Sequence, residues 1–450
     1  MKVKKLDINN FRGFGEATIE FPDSNLAVFI GTNGQGKSSV LDLVAMFLSE
    51  LLRKVVSDFA LRPFLITTFV LKPGDVNMNQ SETVNTINLM TGQQNLFSAD
   101  GEIEWTNSIQ NGSSLLKTNK SKSLKDHALD IKKGVDINSS KSNLPILVFY
   151  VAQRLFNNDY SFEITKRNTR SRYPQFGAFD NAFEKTLNNF KGLISWYREE
   201  EDIENEQMRR LQNFKYRNPQ LEVLRKAILI FFDKLGSDNF SNLRVERSIQ
   251  NEMHINRGGG SASLVITKNK QDFRLEQLSD GEKMLLMVVC DIARRLSIAN
   301  PGTDNPLEGT GIVLIDEIEL HLHPKWQREV IPALLATFPG IQFIVTTHSP
   351  QVLSQVDQSD IFLLKDGEIR PVSSNPKGLD TNAILEEIMD TPKYPKEVDD
   401  LVEQLFLKIQ ERNFDQAQKL RNQIVHKTSS EHPVLRRADA LMERLKILSQ

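Results

Sequence analysis

Residues 29–42 read FIGTNGQGKSSVLD: an apolar run, a glycine-rich turn and the start of a periodic apolar pattern. Gly31-Thr32-Asn33-Gly34-Gln35-Gly36-Lys37-Ser38 fits the spacing G-x-x-x-x-G-K-[ST] without a substitution. Such a match carries weight only between a strand and a helix. Here NLAVFI precedes it, and SSVLDLVAMFLSELLRK follows with Val40, Leu41, Val44, Leu48 and Leu51 on one helical face. Glycines let successive N–H groups converge on an anion, and a helix N-terminus adds the positive end of its dipole. The turn therefore predicts a nucleoside triphosphate cradled by Gly31, Asn33, Gly34, Gly36 and Ser39. Lys37 reaches the β- and γ-phosphates in this reading, and the Ser38 hydroxyl ligates Mg²⁺.

A phosphate cradle needs an acid for the metal and a group that activates water. GIVLIDEIELHLHP at 311–324 offers both, because ligands in open α/β sheets bind beyond the carboxyl ends of strands. Asp316 suits the metal and Glu317 suits the general base. Next, FPGIQFIVTTHSP at 338–350 gives another buried strand with His348 just past its end, where a histidine can sense the terminal phosphate. His321 and His323 invite a zinc reading, but no third ligand follows at a convincing spacing. A packed or interface loop is the default there.

Buried runs separated by helical patterns imply a mixed, mostly parallel sheet with helices on its faces, an α/β class. The chain divides into 1–178, carrying the phosphate turn and a Lys/Ser-rich insertion; 179–241, a short helical arm broken near Pro219; 242–372, carrying the acidic strand; and 373–450, a helical tail. Within the first part, 108–143 reads as a mobile surface excursion. IFLLKDGEI at 361–369 reads as one last strand. The single cysteine, Cys290, excludes an intrachain disulfide and fits a reducing cytosol. No run approaches the roughly 20 apolar residues that span a bilayer, so the expectation is a cytoplasmic protein without a membrane partner.

QLSDGEKMLLMVVCDIARRL at 277–296 is, alone, only a helix with Ser279 at its start. Together with Gly31–Ser38, Asp316–Glu317 and His348, in that order, it resembles the signature segment of ABC-type ATPase heads of the SMC, RecF and RecN branch, over about residues 1–372. The resemblance implies a head-to-head pair of copies in which Ser279 and Gly281 touch the γ-phosphate held by the partner copy. It further implies a strand-end glutamine on the metal, for which Gln153 is the candidate, with Arg154 beside it equally placed. Arg12, in NNFRGF ahead of the phosphate turn, is a candidate to reach the nucleotide, with a plain surface arginine as the competing reading.

IDEIELHLHPKWQREVIPAL, FPGIQFIVTTHSPQVL and KGLDTNAILEEIMDTPKYPKEV narrow the resemblance to the PtuA ATPases of Septu and some retron anti-phage systems. That family implies a small HNH-type nuclease, PtuB, acting in trans. The alternative is a RecF-like ATPase that clamps DNA without a nuclease. Net charge is only −2, so affinity for nucleic acid would need a local patch. TKRNTRSRY at 165–173 is a candidate through Lys166, Arg167, Arg170 and Arg172, with a solvated loop as the other reading. A third possibility is a head that keeps ATP as a structural ligand.

Overall fold

The computed structural model describes residues 1–56, 69–91, 101–113, 117–119, 122–137, 143–152, 174–184, 188–236, 239–247, 262–389, 391, 394–429 and 432–447. They form two compact units, Met1–Gly378 and Leu379–Gln450.

The first unit begins with β1 (Lys2–Asn9), β2 (Glu16–Glu20) and β3 (Leu26–Ile30), followed by α1 (Lys37–Val56). Next come β4 (Glu82–Met90), β5 (Glu102–Gln110), β6 (Lys117–Asn119), α2 (Lys122–Ile137) and β7 (Ile146–Tyr150). Helices α3 (Asn188–Arg210) and α4 (Pro219–Lys234) lead to β8 (Phe240–Arg247), β9 (Ala262–Lys268), β10 (Gln271–Arg274) and α5 (Asp280–Ala299). The unit closes with β11 (Gly311–Ile315), α6 (Pro324–Thr337), β12 (Ile341–Thr346), α7 (Pro350–Leu353), β13 (Ile361–Lys365) and β14 (Glu368–Pro371).

Six strands form the central sheet in the order β14-β13-β3-β12-β11-β7, and all pairs except β13–β14 are parallel. Every residue of β3, β7, β11 and β12 is buried, which is why LAVFI, ILVFY, GIVLI and IQFIVT are almost continuously apolar. The register pairs Ile315 with Tyr150 and Thr346 with Phe29, so these strands end level with one another. Residues just past that shared edge are forced together.

A second, antiparallel sheet runs β2-β1-β4-β5-β6. Buried Gln342 fastens it to the first: its Oε1 accepts from the Val3 N–H at 2.7 Å and its Nε2 donates to the Val3 carbonyl at 3.1 Å. Strands β8, β9 and β10 form a third, antiparallel sheet.

Three expectations meet a different outcome. Strand β13 is followed by a turn and not by its own continuation, because Asp366 and Gly367 both take positive φ (53° and 77°), the paired left-handed geometry that closes a two-residue hairpin. The excursion over 108–143 contains β6, paired with β5, and α2, which packs on α1 and β5 with Leu124, Ala128 and Val135 buried. Finally, α3 lies on α5, and α4 on α5 and α6, burying Trp196, Tyr197, Leu224 and Phe231. Their connecting turn, by contrast, leaves Phe214 82% exposed. The segment RGGGS at 257–261 and most of FLITTFVLK at 64–72 lie outside the described residues.

The second unit holds α8 (Thr381–Ala383), which runs on into a π turn, then α9 (Lys396–Gln410), α10 (Phe414–Lys427) and α11 (Pro433–Ile447). Its core is Leu405, Ile409, Ala417, Ile424, Leu435, Ala438 and Met442. No helix among the described residues of either unit is long and apolar enough to cross a membrane.

Candidate active site

The site forms where β3, β11 and β12 end. Gly31 leaves β3 with φ 147° and lies against the Leu364 backbone carbonyl, so a Cβ there would collide. At Gly36, φ is 94° and a Cβ would stand 2.6 Å from the Phe14 ring. Both positions therefore need glycine, for conformation and for space. Lys37, 6% exposed, starts α1 and turns back into the loop, its Nζ donating to the carbonyls of Gly31 at 2.9 Å and Thr32 at 3.0 Å. Burial lowers its pKa, against the pull of Asp316, Glu317 and Glu319.

Asp316 is 7% exposed and held from three sides. The Ser38 hydroxyl lies 3.0 Å from Oδ2, the Thr346 hydroxyl donates to Oδ1 at 2.6 Å, and the Asp316 N–H donates to the Tyr150 carbonyl at 2.9 Å. The next residue, Glu317, takes φ 49°, a left-handed conformation that redirects a non-glycine side chain and costs of order 1 kcal/mol. Its N–H donates to Thr346 Oγ1 at 2.8 Å, which pins that turn. One threonine hydroxyl thereby orders both acids.

Past β12, the His348 N–H donates to Glu319 Oε1 at 2.6 Å, while Glu319 Oε2 is buried without a hydrogen bond. The His348 imidazole is held below its ordinary pKa, first by burial and then by Lys37, which favours the neutral ring.

Arg12 lies beside the first turn of α1. Its Nη1 donates to Asp42 at 2.9 Å and to the Ser39 hydroxyl at 3.3 Å, and its Nε donates to Asp75 at 2.8 Å. Ser279 is exposed and caps α5: its N–H and hydroxyl donate to Glu282 Oε2 at 2.8 and 2.7 Å. Burial pushes the Glu282 carboxyl up, but Lys268 at 2.6 Å and the Ser279 bonds outweigh it and hold the group below its usual range. Gly281 is buried against the His321 carbonyl. His323 is the N-cap of α6, accepting from the Lys325 N–H. Among the described residues no cluster of three or more His, Cys, Asp or Glu stands ready to hold a metal. Gln153 and the cluster Lys166, Arg167, Arg170 and Arg172 lie outside the described residues.

Residues 26–354 match the family described as "AAA domain, putative AbiEii toxin, Type IV TA system". The chain belongs to this AAA family. It is 28% identical over 435 residues to the Retron Ec83 probable ATPase of Escherichia coli, covering 88% of this chain and 78% of that one. Over 246 residues it is 29% identical to the Septu protein PtuA of Bacillus mycoides (strain KBAB4), covering 53% of this chain and 31% of that one. Among solved structures, an Smc head bound to the C-winged helix domain of ScpA aligns at a TM-score of 0.44 and 16% identity, covering 83% of this chain and 98% of that one.

The residues of this AAA ATPase fit a magnesium nucleotide. A hydroxyl and a carboxylate, Ser38 and Asp316, are the hard oxygen donors that Mg²⁺ prefers. Gly31 and Gly36 let the turn pack against the Leu364 carbonyl and the Phe14 ring, where a Cβ would collide, and Lys37 offers an ammonium now spent on its own loop carbonyls. Bound there, Mg²⁺ would neutralise charge on the phosphate oxygens. Sequence spacing missed Thr346 and Glu319. The first sits in VTTHSP, where a hydroxyl at the end of an apolar strand was the available signal; the second hid in IEL as an ordinary acid.

Proposed function

We propose that this ATPase is a nucleotide-gated switch in anti-phage defence that closes as a pair of copies around ATP and licenses a partner nuclease of the HNH type. The observation that carries the reading is Asp316, buried at 7% exposure and bonded to the Ser38 hydroxyl at the mouth of the glycine turn. That bond supports reading Asp316 as the acid on the metal side of the phosphate cradle. In this reading Lys37 and the Gly31–Ser39 amides hold the triphosphate, Glu317 takes the proton of the attacking water, and neutral His348 meets the terminal phosphate. Ser279, exposed at the N-terminus of α5, supplies the partner copy's phosphate with a donor from outside. The defence role rests on the kinship with the retron ATPase and PtuA.

Three measurements test it. Glu317→Gln is expected to retain Mg·ATP and lose at least about 100-fold in turnover, the scale for a general base. Lys37→Ala is expected to lose nucleotide binding itself. Co-purification with a small nuclease encoded beside it, in ATP and not in its absence, tests the partner. Unchanged turnover in Glu317→Gln would remove the general-base assignment. The DNA-clamping alternative is favoured instead if a partner-free chain shifts DNA in gels through Arg167 and Arg170.

A further inference from the structure

The helix that Ser279 caps meets the loop after β11, at His321, and the end of β7, at Tyr150. At its N-terminal end, a Cβ on Gly281 would stand 2.5 Å from the His321 carbonyl oxygen. About three turns along, fully buried Asp291 accepts from the Tyr150 hydroxyl at 2.8 Å. Arg294 Nη2 and Arg295 Nε donate to the same carboxylate at 2.6 and 2.7 Å, and Arg295 Nη1 continues to the Ala178 carbonyl at 2.7 Å. None of these four side chains' residues exceeds 3% exposure. Burial would raise the Asp291 carboxyl, but the two arginines hold it below its usual range; burial and the Asp291 charge push the Tyr150 hydroxyl far up, so it stays a donor. Buried ion clusters add little net stability, because desolvation consumes what attraction returns. Geometry gives this one another use.

Tyr150 ends β7, and its carbonyl accepts the Asp316 N–H. One residue thus grips Asp316 through its backbone and α5 through its hydroxyl. We propose that Tyr150 is a positioning residue for ATP hydrolysis. Its bond to Asp291 fixes the end of β7, and with it the place of Asp316 opposite Ser38, so that a contact made at Ser279 is felt at the metal-side carboxylate. Close-packed helices move as units and do not deform continuously, which makes buried α5 a suitable lever. This inference rests on the reading of Ser279 and Asp316 given above.

Tyr150→Phe removes one oxygen and leaves both arginines on Asp291. The full-length variant and wild type are compared in ATP turnover across a Mg²⁺ titration, and in Mg²⁺-free ATP binding by equilibrium dialysis. The expected result is a fall of about tenfold in kcat and a rise of about fivefold in the Mg²⁺ concentration for half-maximal turnover, with Mg²⁺-free affinity within about twofold. Wild-type kcat and Mg²⁺ midpoint in the variant would overturn the proposal. So would an ATP affinity that falls in step with turnover, or a variant that does not fold, since either makes the bond a structural bolt alone. A wild-type chain that binds ATP without measurable turnover would instead overturn the hydrolytic reading of Asp316 and Glu317, and this inference with it.

Discussion

His348 carries a charge change that the free chain and the folded chain make at different pH. Burial and Lys37 hold its folded pKa below the ordinary 6.5. Above that value both forms are neutral and the residue adds no pH dependence. As pH falls through 6.5 the unfolded chain takes up a proton that the folded chain refuses, so stability drops until the folded ring protonates as well. Between about pH 7.5 and about pH 5.5, without nucleotide or Mg²⁺, wild type should lose more in Tm than His348→Asn, read by thermal unfolding. The variant keeps the backbone N–H that Glu319 accepts, so the comparison isolates the ring. Parallel curves would reject the assignment. The histidine was legible because it stands just past an apolar run, IQFIV, which only a strand explains. Glu319 was not, since nothing local says that its carboxylate is aimed at a backbone 29 residues away.

At the level of the element, α5 shows how one residue can serve two purposes that a test must separate. Ser279 caps the helix in a reciprocal box with Glu282, a satisfaction of N–H groups that is worth about 1 kcal/mol. It is also the residue proposed to reach the partner copy's phosphate. Ser279→Ala should therefore cost about 1 kcal/mol in urea unfolding and should also slow turnover. Ser279→Asn offers an amide oxygen to the same N–H, so it should recover the stability while turnover stays low. Recovery of both would reduce Ser279 to a cap. The helix and its cap were readable from LSDGE and the apolar period that follows. Its anchoring through Asp291 was not, because Tyr150 lies 141 residues away and the bond follows from sheet order, which spacing does not encode. The same limit explains α2: KSLKDHALDIKKG is polar enough to read as loop, and only a neighbouring α1 with apolar surface makes its few leucine, alanine and valine positions worth burying.

On the scale of the whole molecule, the described residues assigned to nucleotide chemistry, from Arg12 to His348, fall in the unit that ends at Gly378. The other unit has a core cluster of its own on α9, α10 and α11, through residues from Leu405 to Met442. Division of labour follows: the first unit should handle nucleotide by itself, and the second should not be needed to shape the cradle. A chain truncated after Gly378 is expected to bind ATP with an affinity within about threefold of the full chain, a difference below about 1 kcal/mol. The separated 379–450 segment should show helical circular dichroism but a shallow, low-temperature melt, because a core in a segment of this size supplies only about 3–5 kcal/mol at best. A truncated first unit that folds yet loses ATP by more than about tenfold would place part of the nucleotide site in the helical unit. That outcome would overturn the division, since no described residue between Arg12 and His348 has been altered.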